Sequence, residues 1–126
     1  MLVLMARFWR SAGALLACAA VAMGAVTAHL PAERFGLGAG REIAHSAVEM
    51  HMWHALALVG LGLGVRKPTR LMALGGNGLV LGTLIFCGAL YFTAFTGHHL
   101  GAVAPTGGSI LILSWLVLAV AFAIHE

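Results

Sequence analysis

Between His45 and His54 the chain reads HSAVEMHMWH, three histidines and Glu49 in ten residues, and it runs straight on into ALALVGLGLGV. Imidazole ligates metals and exchanges protons near neutral pH, and a carboxylate beside it can orient it or share its proton. On a helix turning about 100° per residue, His51 and His54 stand about 60° apart on one face. His45 and Glu49 stand about 40° apart on nearly the opposite face. The segment therefore carries two polar stripes. We expect the His51 and His54 stripe, with Met50 beside it, to face other helices, where His29 at the end of an earlier apolar segment meets it.

Three chemistries compete for this cluster. The leading one is structural: the histidines cap helix ends and bond between helices, with Glu49 held by a histidine, Arg41 or a backbone donor. The second is a metal site, a transition metal or haem held by His29, His51 and His54. It lacks an HExxH or paired CxxC signature, and a haem bundle normally places a His deep in each of two helices. The third is a proton or small-solute path lined by Glu49, the only acid inside an apolar segment. Few polar partners further along the chain would carry it onward. No cofactor is the default expectation.

These residues must be held by membrane-spanning elements. Hydrophobic residues make up 61% of the 126 and charged residues 9%, and mean hydropathy is +0.99. Such a chain cannot solvate the surface of an ordinary soluble domain. Apolar segments at about 11–27, 47–65, 71–95 and 102–124 are each long enough to cross as helices. The fold class expected is all-α integral membrane, one domain over 1–126, with four helices in an antiparallel bundle and short loops. Segment one imitates a signal peptide, with Arg7 and Arg10 before an Ala-rich core, but we read it as a retained span.

Arg7, Arg10, Arg66, Lys67 and Arg70 fall on one membrane face, against Arg34 and Arg41 offset by Glu33 and Glu42 on the other. The positive-inside rule places both termini in the cytoplasm. Six of the seven histidines then lie toward the opposite face, and only His125 does not. The net charge of +3 is topological, since no basic cluster is interleaved with exposed aromatics as in a nucleic-acid surface.

Small residues recur four apart at Ala20, Gly24 and Ala28, at Gly60 and Gly64, and at Gly78 and Gly82. They are expected to pack helices within the bundle, with a dimer face as the alternative. Gly107 and Gly108, after a first-turn Pro105, extend the same role to segment four. Asn77 is expected to bond to a neighbouring helix or to water. Trp9, Trp53 and Tyr91 read as anchors at or under the interfaces. Cys18 and Cys87 are lone thiols at different depths. No nucleophile is paired with a base, and GGNG is no phosphate loop, so enzymatic activity is not expected.

GAVTAHL (Gly24 to Leu30), SAVEMHMWHALAL (Ser46 to Leu58), IFCGALYFTAFTG (Ile85 to Gly97) and LGAVAPTGGSILILSW (Leu100 to Trp115) resemble, in order, the signature blocks of the domain-of-unknown-function 423 family of small four-helix membrane proteins, which are transmembrane protein 256-like. The resemblance implicates Gly24, Ala28, His29, Ala47, His54, Gly88, Leu90, Tyr91, Pro105, Gly107 and Gly108. The chain departs from the pattern at Met50 and His51, where the family has a Tyr-Gln pair, at Trp53 for Tyr and at Thr27 for Gly. His51 is thus an extra imidazole, which strengthens the metal option. The resemblance implies a bacterial inner-membrane protein and no established activity. The function expected is a non-enzymatic structural or accessory subunit, packing in the lipid bilayer against copies of itself or a larger membrane complex, with no nucleic acid involved.

Overall fold

A computed structural model describes residues 1–125. Four α-helices follow one another: α1 (Leu2–His29), α2 (Gly40–Gly64), α3 (Arg70–Thr96) and α4 (Val103–Ile124), with a single 3₁₀ turn at Ala32–Arg34. No strand occurs among the described residues. Helix α1 packs along α2, α3 along α4, and α2 against α3, while α1 barely reaches α3. Three of the four, α1, α3 and α4, are long and apolar enough to cross a membrane by length and composition. The exception is α2, which holds Arg41, Glu42, Glu49 and three histidines between Gly40 and His54.

Two helices start earlier than the apolar segments. Helix α1 begins at Leu2 rather than near Ser11. Its first turns contain exposed Arg7 and Arg10, but Trp9 between them is 0% exposed and belongs to the core. Long Arg side chains reach the membrane surface while their backbone stays helical, so the cations do not end the span. Helix α2 begins at Gly40 rather than Ala47. There the Arg41 guanidinium donates to the carbonyls of Thr27, Ala28 and Leu30, the last at 2.7 Å. A helix end leaves its final carbonyls without intrahelical partners, and a cation there also suits the helix dipole. One side chain therefore ties the start of α2 to the end of α1.

The connection between them is docked onto α3. Phe35 stacks on Phe95 with ring centroids 5.6 Å apart, Arg41 lies over Phe35, and the Gly36 N–H donates to the Ala94 carbonyl at 2.9 Å. Thr69 caps α3 by accepting from the Met72 N–H at 3.2 Å. Gly97 closes α3 in the left-handed region at φ 77°, which glycine adopts without steric cost.

The core joins Trp9, Leu58, Leu61, Met72, Leu79, Leu111 and Leu118 from all four helices. Close backbone approach occurs at glycines, though not at all of those expected. A Cβ at Gly82 would lie 2.8 Å from Leu111, one at Gly78 would overlap Ser114, and one at Gly107 would sit 2.5 Å from the Phe86 backbone. Gly24 and Gly108 are in ordinary contact with Val48 and Phe86, and Ala28 is exposed. The expectation for Gly60 and Gly64 is corrected: nothing lies within 4 Å of a Cβ at either. Gly60 falls about 20° from Glu49 around the helix, on the outward side. The α1–α2 seam uses Gly13 and Gly62 instead, where a Cβ would stand 2.6 Å from the Ala55 carbonyl and 2.5 Å from the Ala6 carbonyl.

Candidate functional site

The inward stripe of α2 is a pair of hydrogen-bonded histidines. His51 and His54 are 6% and 5% exposed. His54 lies about 21 Å along α2 from Gly40, just past the middle of the helix. Its Nε2 is 3.1 Å from Trp115 Nε1 on α4, and its Nδ1 is 2.6 Å from the Met50 carbonyl oxygen. An indole N–H only donates, so Nε2 accepts and Nδ1 carries the proton it gives to Met50. Both ring nitrogens are committed and the imidazole is held in one neutral tautomer.

His51 is bound on one side only. Its Nδ1 is 2.9 Å from the Tyr91 hydroxyl on α3, and the two rings meet edge-on. Its Nε2 is buried with no hydrogen-bond partner. A third interhelical bond lies nearer the cationic end, where Trp9 Nε1 donates to Asn77 Oδ1 at 3.0 Å and links α1 to α3. Trp9 is therefore a buried and Tyr91 a half-buried hydrogen-bonding ring, whereas Trp53 is 60% exposed.

The outward stripe is the converse. His45 Nε2 and Glu49 Oε1 lie 3.5 Å apart, with side chains 69% and 50% exposed, the one histidine–carboxylate contact among the described residues. His29, His98 and His99 are also exposed.

The structure does not bring His29 to His51 and His54. Antiparallel packing sets Gly13 beside Ala55 and Val59, and Gly24 beside Val48. That register levels His51 with the stretch around Ala20, about 13 Å along α1 from His29. Among the described residues no three His, Cys, Asp or Glu side chains gather as a metal-ligand group. His51 Nε2 is the one ring nitrogen of the buried pair with coordination capacity left.

Sequence reasoning missed Arg41 as a helix-end cap and Trp115, Tyr91 and Trp9 as partners. The available signal was chemical: a donor such as an indole N–H seeks an acceptor when it is buried away from water. Besides the histidines and Asn77, several of the acceptors in these spans are hydroxyls that bond within their own helix, as Thr83, Thr106, Ser109 and Ser114 do.

The family model described as "Protein of unknown function (DUF423)" matches residues 23–108. A UPF0382 membrane protein of Staphylococcus epidermidis is 36% identical over 110 residues, covering 86% of this chain and 89% of the relative. The UPF0382 membrane protein YwdK of Bacillus subtilis is 32% identical over 117 residues, covering 86% and 90%. The UPF0382 inner membrane protein YgdD of Escherichia coli is 30% identical over 102 residues, covering 79% and 77%. No solved structure matches the chain. The four-helix architecture, the apolar spans and these relatives make the chain a membrane protein that belongs to the DUF423 family.

Proposed function

We propose that the protein is a non-enzymatic accessory subunit of the bacterial inner membrane, crossing it four times with both termini in the cytoplasm and associating with a second copy or a larger membrane complex. The orientation rests on Arg7, Arg10, Arg66, Lys67 and Arg70, which share one end of the bundle.

The observation that carries the subunit reading is the outward His45–Glu49 pair. Glu49 is nine residues into α2, about 13 Å along it, yet half of its side chain is exposed. An ionisable group facing hydrocarbon is costly, and such groups ordinarily face protein or water. A partner helix seated on this face, meeting Glu49 with a donor, removes the cost. Purification from the native membrane in mild detergent tests this: a fixed oligomer or stoichiometric partner is expected, and a lone monomer would count against it.

A second reading, a metal- or haem-binding protein, is favoured by the unpartnered Nε2 of His51. It predicts near-stoichiometric metal or a Soret band in the purified protein, lost in His51→Ala.

A further inference from the structure

Helices α2 and α4 both lean on α3 without closing on each other, and they leave a groove of about 820 Å³ between them. This lies within the ligand-site range of about 300–1,000 Å³. Its floor is Met72 and Leu79 of α3, and its α4 wall includes Leu118 and Phe122. Its α2 wall includes Gly60 and Gly64, the glycines that approach nothing. Their lack of side chains is what keeps the groove open.

Its two ends differ. One is bounded by Trp115, the indole bonded to His54. The other is formed by Arg66, Lys67 and His125. Arg66 and Lys67 are exposed, and no described carboxylate pairs with either. Trp115 precedes His125 by ten residues, about 15 Å of helix. That is half of a hydrocarbon core about 30 Å thick. The groove is therefore one leaflet deep, apolar along its length and cationic only at its mouth.

We infer that this groove is a binding site for an acidic glycerophospholipid of the leaflet bordering the Arg66–Arg70 loop. An acyl chain lies along Gly60, Gly64 and Leu118, and the headgroup phosphate meets Arg66 and Lys67. Basic pockets between transmembrane helices suit anionic headgroups, whereas a protein helix in the same groove would leave both cations unmatched. The inference depends neither on the accessory-subunit reading nor on which face is cytoplasmic.

The test is native mass spectrometry of the delipidated full-length protein titrated with phosphatidylglycerol or phosphatidylcholine of identical chains. One tightly held phosphatidylglycerol is expected, with phosphatidylcholine much weaker. Arg66→Gln and Lys67→Gln should each weaken phosphatidylglycerol roughly five-fold, at the strength of one surface cation, and leave phosphatidylcholine unchanged. Gly60→Leu with Gly64→Leu should abolish the retained lipid while circular dichroism and melting stay native, because both positions face open space. Equal binding of the two lipids, or full phosphatidylglycerol retention in the doubly filled variant, overturns the proposal. So does a filled variant that loses an oligomer rather than a lipid, since a second copy would then be the occupant.

Discussion

The two polar stripes of α2 share one helix and one residue type, and they solve desolvation in opposite ways. His51 and His54 turn inward, and each finds a hydrogen-bond partner on another helix. His45 and Glu49 turn outward and hold only each other. The difference teaches that histidine content says little here about chemistry, and orientation says much. An inward imidazole with both nitrogens engaged, as in His54, is bundle structure. An outward carboxylate with one long contact to imidazole is, on the proposed subunit reading, where a partner would supply the missing donor.

The largest effect should come from the inward stripe. His54→Ala removes the acceptor of Trp115 and the donor to Met50 and leaves a void, and we expect a loss of about 2–3 kcal/mol. Thermal or denaturant unfolding in detergent reads it directly. A loss below about 0.5 kcal/mol would place His54 outside the structural bonding pattern and reopen a functional role.

Packing supplies the next step. Gly62→Ala drives a Cβ against the Ala6 carbonyl and the Arg10 backbone and should cost about 2 kcal/mol. Gly64→Ala, two residues on but facing the groove, should change stability by less than about 0.5 kcal/mol. Equal costs would mean that Gly64 is covered by a protein surface.

Trp115→Phe and Tyr91→Phe sharpen the inward half further, because each deletes one interhelical hydrogen bond while keeping the ring. Each should cost about 0.6 kcal/mol, with an upper bound near 1.7. Trp115→Phe should stand at the higher end, since it strands the buried His54 Nε2 without a donor. Glu49→Gln should leave monomer stability unchanged within about 0.5 kcal/mol, being outward, and should act on association instead.

Much of this was legible in the residues, for identifiable reasons. Four helices followed from apolar length, and the split between His51/His54 and His45/Glu49 followed from a 100° turn, which needs no tertiary knowledge. That His29 stays apart from His51 was not legible. It depends on the α1–α2 register, which is set by Gly13 and Gly62 rather than by the four-apart stripe that ends at Ala28. The stripe at Gly60 and Gly64 misled because small residues mark close approach and open space alike. Trp9 misled for a related reason, since an aromatic flanked by two arginines reads as an interface residue until its burial is known. The start of α2 escaped notice because Arg41 acts across the connection, on the carbonyls of a helix already ended.

The central claim is that the outward face of α2 is covered by protein. Trp53, one turn beyond Glu49 on that face, is the place to ask. A Trp53→Cys variant in a Cys18→Ser background leaves one exposed thiol among the described residues, because Cys87 is buried. A short bifunctional thiol- and amine-reactive crosslinker applied in native membranes should give a single adduct of defined mass, and adding Glu49→Gln should remove it. A protein that stays uncrosslinked at native abundance, with Trp53→Cys labelled freely by a lipid-soluble maleimide, would show that this face meets only lipid and would contradict the account.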